Sequence, residues 1–369
     1  MIPLDLSDRL ARAQAAAAAA GLDALLVSPG ADLRYLAGYA ALPLERLTCL
    51  VLPAEGTPVL VVPALERAAA DASPVGHLGM DIRDWAETAD PYQLVADLLP
   101  RARRVAVDDH MEALQVFALR AAMPGIDQVA AGTVLSELRV HKTPAEVEAL
   151  RSAGAAIDRV HARMGEWLRP GRSEREVGRD IAAAIVEEGH VSVDFVIVGS
   201  GPNSASPHHE VGDRVLADGD PVVVDIGGTT PEGYRSDSTR TYALRAPAPD
   251  FAAAYEVLLA AQVAAVDHVR PGVSAESVDA TARALITEAG YGEHFVHRTG
   301  HGIGLETHEE PYIVSGNDRV LEAGMAFSVE PGIYFSGRHG ARIEDIVVVT
   351  DSGVERLNTR PRELAVLPS

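Results

Sequence analysis

Short apolar runs, punctuated by Gly and Pro, dominate the first third of the chain. DALLVS, LTCLVLP, TPVLVVP and RRVAVDD are rich in Val and Leu and predict buried strands. Helical patterns fall between them, the clearest being SDRLARAQAAAAAAG, closed by Gly21. Strands alternating with helices predict an α/β layer domain. ADLRYLAGYAALPLE, which carries Tyr35 and Tyr39, reads as a packed aromatic loop; the other reading is a lid over a neighbouring site. Further on, Thr143 can cap a long amphipathic helix, with Pro144 in its first turn and Glu146 at its acidic start. The boundary is therefore placed near 137–143, which divides the chain into domains over 1–138 and 139–369.

The second domain repeats itself. LRPGRSEREVGRDIAAAIVEEG matches VRPGVSAESVDATARALITEAG at an offset of 101 residues, Gly189 recurring as Gly290. A helix precedes each copy, and Ser173 or Ser274 is placed to cap the next one. Strand-like runs follow, VDFVIVGSG in one copy and EHFVHRTGHG in the other. With small shifts the match pairs Asp225 in GDPVVVDIGG with Glu330 in GMAFSVEPG, and Asp237 in YRSDSTRTY with Glu344 in GARIEDIVV. Ser200 stands where the second copy has His301. Two half-domains meeting about a pseudo-twofold axis would bring four acids and one unpaired histidine together.

Converging carboxylates cannot all stay ionised without compensation. Divalent cations supply it, and two of them about 3.5–4 Å apart form a site that hydrolases use. Oxygen-rich ligands with one imidazole and no thiolate suit Mn²⁺, Co²⁺, Fe²⁺ or Zn²⁺. Water between two such ions becomes hydroxide near neutral pH, and a bound carbonyl is polarised, which amounts to amide hydrolysis without a covalent intermediate. Asp225 and Glu330 each end a strand-like run beside glycine or proline. Arg342, two residues from Glu344 in an alternating strand, shares its face and can balance that carboxylate, whereas Asp345 points the other way. Two other motifs are decoys: HEEPY lacks the second His of a zinc helix, and IVGSGPNS lacks the third glycine of a dinucleotide loop.

A net charge of −21 argues against a nucleic-acid or anionic-membrane surface. Cys49, the single cysteine, permits no internal disulfide or thiolate cluster, and its apolar setting reads as structural. No signal-peptide pattern opens the chain and no apolar run reaches the length of a membrane span, which predicts a cytoplasmic protein.

VVVDIGG…YRSDSTRTY, HRTGHGIGLETHEEPY, SVEPGIY and ARIEDIVVV closely resemble the pita-bread metallopeptidases. That family includes prolidase (Xaa-Pro dipeptidase), aminopeptidase P, methionine aminopeptidase and the metal-free enzyme creatinase. The resemblance covers essentially the whole chain, and the first domain points to the prolidase, aminopeptidase P and creatinase branch. It implies an α/β N-terminal domain followed by an α+β pita-bread catalytic domain with an internal pseudo-twofold repeat. It also implies that Asp225, Asp237, His301, Glu330 and Glu344 hold two divalent metal ions, Mn²⁺ first, with Co²⁺ or Zn²⁺ as alternatives. His208 in SASPHHE and His308 would then contact substrate and stabilise the tetrahedral intermediate, and Glu330 would also carry a proton from the attacking water. Arg342 would stand behind the ligands and Tyr334 beside the site, while His297 reads as structural. Glu309 or Glu310 could read a substrate amine.

Two departures from the family pattern stand out. Asp225 and Asp237 are 12 apart where the family has 11, which the hairpin accommodates if Ser236 stays out of the site. Tyr312 occupies the place where some prolidases carry an arginine for a dipeptide's carboxylate, leaving Arg298, Arg338 and His339 as candidates. The expected activity is a dipeptidase cleaving Xaa-Pro or a broader set of dipeptides. The alternatives are aminopeptidase P, acting on longer peptides, and a non-peptidase or inactive member of the same fold. The resemblance further implies a homodimer, with Tyr35 and Tyr39 as the candidate contact.

Overall fold

The computed structural model describes residues 5–368, and the chain clusters into two compact units that divide between Arg139 and Val140. The first unit is built on a six-stranded mixed sheet. Its strands are β1 Ala24–Val27, β2 Cys49–Pro53, β3 Val59–Pro63, β4 Asp81–Trp85, β5 Arg104–Val107 and β6 Asp127–Ala130, in the order β4-β3-β2-β1-β5-β6. The predicted apolar runs form its centre, with Leu26, Val51, Val61 and Val105 buried together. Strands β4 and β6 carry no run of that kind, because they are edge strands with largely exposed faces. Cys49 is buried in this core, and burial pushes its thiol up to about 12, so it is protonated and inert.

The first half of the segment read as a packed aromatic loop is instead a helix, Ala31–Ala37, ended by Gly38 in the left-handed conformation, and the second half, with Tyr39, is a loop. Tyr35 packs under the Arg9 guanidinium and donates its hydroxyl to the Leu138 carbonyl at 3.1 Å. Tyr39 is also buried, so neither ring offers an exposed contact surface or a lid.

The second unit opens on the helix Pro144–Ala162. Thr143 and Glu146 form a reciprocal capping box there. The internal repeat is visible in its bonding. Gly171 N donates to the Leu216 carbonyl, and in the second copy Gly272 N donates to the Leu321 carbonyl. Both glycines have φ near +90°, which a side chain would strain. The helices Glu174–Glu187 and Ala275–Glu288 follow these turns. Ser173 caps the first of them in a capping box, but Ser274 makes no side-chain cap, its carbonyl accepting from the Ser277 hydroxyl instead.

The first half carries β7 Ser192–Ser200, β8 Pro221–Thr229 and β9 Arg235–Leu244, joined by β17 Ala365–Leu367 in the order β17-β9-β8-β7. The second half carries β10 Gly300–Gly302, β11 Glu309–Ile313, β12 Ala326–Val329, β15 Asp345–Val349 and β16 Val354–Arg356, in the order β11-β10-β12-β15-β16, with β13 Gly332–Phe335 and β14 His339–Arg342 as a separate hairpin. The strand expected over EHFVHRTGHG shrinks to β10, preceded by a 3₁₀ turn at Gly292–His294; Thr299, just before β10, donates its N–H to the Ile313 carbonyl of β11 at 2.9 Å and its hydroxyl to Asp279 at 2.7 Å.

The helix Pro249–His268 is long and apolar enough to cross a membrane by length and composition, contrary to the sequence expectation. Its Phe251, Tyr255, Leu258, Ala261 and Ala265 are instead buried in the core of the second half, which accounts for the composition.

Backbones approach most closely where β10 meets β12. A Cβ on Gly300 would lie 1.8 Å from the Ser328 carbonyl oxygen, a contact that only backbone movement could relieve. Gly300→Ala is expected to lower stability by about 3 kcal/mol or to abolish soluble expression. Urea denaturation of the purified variant against the parent chain measures this; an unchanged midpoint would contradict the packing described.

Candidate metal centre

The parity of the β8–β9 hairpin brings the first two acids together. Asp225 lies in the middle of β8, not at a strand end, and pairs with Thr239 on β9 and Ile197 on β7. Asp237 lies two residues before Thr239, opposite Gly227. Side chains two apart on a strand share a face, so Asp225, Asp237 and Thr239 emerge on one side. The residue that makes the 225–237 spacing even is absorbed within the hairpin. Ser236 turns away, its hydroxyl bonded to His190 at 2.8 Å and to Gly228 N at 3.1 Å.

The second half supplies the remaining groups. His301 N donates to the Ser328 hydroxyl at 3.0 Å, and that hydroxyl donates to Glu330 Oε1 at 2.9 Å. Glu330 and Glu344 lie one step beyond the Val329–Asp345 pair that closes β12 against β15. Arg342 and Glu344 therefore do not share an unbroken strand: β14 ends at Arg342 and β15 begins at Asp345. Glu344 is tied back to the first half, its N–H donating to the Thr239 carbonyl at 3.1 Å and its Oε2 accepting from the Thr239 hydroxyl at 2.9 Å. Asp345 faces the other way, onto Arg240.

These groups line one cavity of about 600 Å³, together with Phe195, Ile197, Pro207, His208, His297, Arg298, Thr307, His308 and Arg342. Donor atoms of Asp237, His301 and Glu344 all lie within 4.8 Å of one another. Asp225 and Glu330 share the cavity but have oxygens committed elsewhere: Asp225 Oδ2 accepts from Arg342 Nη2 at 2.5 Å, and Glu330 Oε1 lies 3.1 Å from His301 Nε2. The Arg342 guanidinium thus pairs directly with Asp225, and it reaches Glu344 through its charge and through the Thr239 hydroxyl, which accepts from Nε at 3.1 Å.

Burial and then repulsion from Asp225 hold the Asp237 carboxyl well above the usual carboxylate range. Burial and then Asp237 do the same to Glu344. Burial pushes Glu330 up too, but the hydrogen bond and charge of His301, with His297 and Arg342, bring it down to about 2. His301 is correspondingly raised despite its burial. The cluster is therefore short of positive charge, and Asp225 Oδ1 is buried with no hydrogen-bond partner among the described residues. Unpartnered carboxylate oxygen, mutually close acid and imidazole donors, and no thiolate fit hard or borderline divalent cations.

His208 and His308 are solvent-accessible at the cavity, and the His308 ring lies 4.1 Å from that of His301. Desolvation, then the charges of His301 and Arg298, push His308 down to about 4, so its imidazole is neutral at neutral pH. Several sequence candidates fall outside the lining. Tyr334 is buried behind the cavity, bonding Arg342 at 2.7 Å and His297 at 2.9 Å. Tyr312 lies under the Arg298 guanidinium, 4.5 Å from ring centroid to Cζ. Glu309 is bound by buried Lys142 at 2.5 Å, and Glu310 accepts from Tyr312 N, so neither faces the cavity to read an amine. Arg338 pairs with Asp250, and His339 packs against Phe251 and Phe335, away from the lining. Phe195, Ile197 and Thr239 escaped the sequence reading. Their signal is strand parity with Asp225, which needs the register of β7 and β9.

Residues 148–351 match metallopeptidase family M24, and residues 9–141 match the creatinase/prolidase N-terminal domain. The chain belongs to metallopeptidase family M24. It is 57% identical over 361 residues to the probable dipeptidase PepE of Mycobacterium tuberculosis, covering 98% of this chain and 96% of that one. It superposes on the crystal structure of dipeptidase PepE from Mycobacterium ulcerans with a TM-score of 0.95 at 58% identity, covering 99% and 98% of the two chains. The corresponding values for the prolidase from Thermococcus sibiricus are 0.93 at 37% identity, with 99% and 100% covered. The M24 metallopeptidases are metal-dependent hydrolases, and the α/β domain followed by the pita-bread domain is the architecture of this branch.

Because Asp237 and Glu344 hold protons above the usual range without metal, cation binding must displace them. Binding of Mn²⁺ to metal-free protein is expected to release protons at pH 6–7 and to tighten as pH rises. Calorimetry in two buffers of different ionisation enthalpy reads this directly; proton uptake would contradict the assignment.

Proposed function

We propose that this chain is a dinuclear-metal dipeptidase that hydrolyses Xaa-Pro and related dipeptides. The convergence of Asp237, His301 and Glu344 donors beside the unpartnered oxygen of Asp225 carries this reading. Asp225, Asp237, His301, Glu330 and Glu344 would hold two divalent cations, Mn²⁺ in preference to Co²⁺ or Zn²⁺. When bound, the cations supply positive charge that polarises the scissile carbonyl and lowers the pKa of the attacking water.

The remaining steps belong to the protein. Glu330, held ionised by His301, accepts the water's proton and returns it to the leaving amine. His308, neutral at working pH, donates a hydrogen bond toward the developing oxyanion, and His208 closes the same side of the cavity. Phe195, Ile197 and Pro207 offer an apolar wall on which a proline ring can pack. Of the three candidate anchors for a free carboxylate, only Arg298 lines the cavity, and its guanidinium is braced by the face of Tyr312. A lining cation with no ion-pair partner among the described residues favours a substrate that ends one residue after the scissile bond. Tyr334, placed by the sequence at the substrate, instead holds Arg342. A homodimer and a cytoplasmic location complete the reading; both rest on resemblance to the dipeptidases of this family.

His301→Ala and Asp225→Ala are expected to lose metal and activity together. His308→Ala should keep its metal content and lose roughly 10²- to 10⁴-fold in kcat. Metal analysis beside steady-state kinetics separates the two classes, and metal loss in His308→Ala would overturn the assignment of roles.

Metal-free protein reconstituted with Mn²⁺ or Co²⁺ is expected to cleave Ala-Pro and to leave Ala-Pro-Ala intact. Hydrolysis of Ala-Leu would widen the specificity beyond proline, whereas cleavage of the first bond of Ala-Pro-Ala would assign aminopeptidase P. Arg298→Ala should raise KM for Ala-Pro at least roughly tenfold while leaving KM for the Ala-Pro amide unchanged.

A further inference from the structure

Glu174 opens the helix Glu174–Glu187 and is wholly buried, at 0% exposure. Its oxygens accept from Ser200 N at 2.8 Å and Ser200 Oγ at 2.7 Å, from Asn203 Nδ2 at 3.0 Å, from His209 Nε2 at 2.7 Å and from Gly212 N at 3.4 Å. Every one of these donors lies in the segment 200–212, which leaves the end of β7 and contributes Pro207 and His208 to the cavity. One buried carboxylate thus gathers a segment that has no strand of its own beyond a 3₁₀ turn at Gly201–Ala205.

The bonds bracket His208. On one side, His209 is held by Glu174. On the other, the Pro207 carbonyl accepts from Arg342 Nη2 at 3.2 Å, the same nitrogen that bonds Asp225 Oδ2. An exposed imidazole on a loop would otherwise range over many positions. Fixing both neighbouring residues confines it to the cavity and ties its location to that of Asp225.

The second half of the repeat uses the same device. Asp279, on the helix Ala275–Glu288, accepts from Thr299 N at 3.2 Å and from Thr299 Oγ1 at 2.7 Å, as Glu174 does from Ser200. Thr299 leads directly into Gly300 and His301. In both halves a buried helix carboxylate grips the N–H and hydroxyl of a residue on the path to a cavity histidine.

We propose that Glu174 is a positioning residue for the hydrolysis: through His209 and Ser200 it holds the segment 200–212 so that His208 faces the substrate. The proposal rests on the reading of His208 given above.

The test pairs kinetics with hydrogen–deuterium exchange on the metal-loaded full chain. Glu174→Gln keeps the size of the side chain but replaces one acceptor oxygen with a donor amide, so it cannot accept from all its partners. It is expected to lower kcat on Ala-Pro by roughly tenfold to a hundredfold with KM and metal content little changed. Exchange should quicken within 200–212 and not elsewhere. In a His208→Ala background the same substitution should cost nothing further. Equal losses in the two backgrounds would reduce Glu174 to a purely structural role and overturn the proposal. Unchanged exchange in 200–212 would overturn it whatever the activity, which keeps this result separate from a failure of the dipeptidase reading, seen as an inactive parent chain. Should Glu174→Gln fail to fold, His209→Ala removes one bond of the clamp and is held to the same outcomes, with His209→Gln expected to recover part of the loss.

Discussion

Three buried carboxylates, the half-buried Glu330 and a buried imidazole surround one cavity, and among its described lining residues Arg342 is the one buried guanidinium. The packing there would be unfavourable if every acid were ionised. The chain manages the excess locally. Arg342 takes Asp225, His301 takes Glu330, and Asp237 and Glu344 are driven toward their neutral forms. Divalent cations resolve the same excess in a way that makes it chemically useful. The surrounding architecture holds these groups at short range against their mutual repulsion.

Two features of the fold supply that restraint. Within each half, strand parity chooses which side chains face the cavity, as Asp225, Asp237 and Thr239 do across the β8–β9 hairpin. Between the halves, Thr239 acts as the seam: its carbonyl and hydroxyl both bond Glu344, and its hydroxyl also receives Arg342. Glycine at 300 and 302 lets β10 press against β11 and β12, so His301 projects from backbone too tightly packed to shift. Each of these contacts is short and buried, and together they fix the positions of the cluster's side chains.

The side of the cavity that meets substrate is built differently. His208 and His308 reach solvent, and the segment carrying His208 depends on Glu174 and Arg342 for its place. Arg298 rests on the ring of Tyr312, so a position without charge of its own supports one that has it. Rigid ligands and tethered, accessible helpers are the division that hydrolysis of a small, exchangeable substrate requires.

Much of this was legible in the order of residues. An internal repeat pairing Asp225 with Glu330 and Asp237 with Glu344 is a pattern of spacing, and spacing survives without coordinates. The capping box at Thr143 and Glu146, the buried strands of the first unit and the burial of Cys49 are local patterns too, set by propensity and apolar runs. What needed the tertiary structure was every contact that links distant segments. Arg342 is near Glu344 in sequence, but its direct bond goes to Asp225, 117 positions away, and a break between β14 and β15 leaves Thr239 to link it to Glu344. Tyr35 and Tyr39 stand in a loop-like sequence, yet Ala31–Ala37 forms a helix whose Tyr35 packs under Arg9, and only Tyr39 stays in a loop. Tyr334, Glu309 and Arg338 lost their expected parts at the cavity to partners in remote segments or to burial. Sequence determined which chemistry the chain can perform, because metal-ligand types and repeat spacing are local. Tertiary structure decided which charges face one another, because pairing energy depends on distance in space and not along the chain.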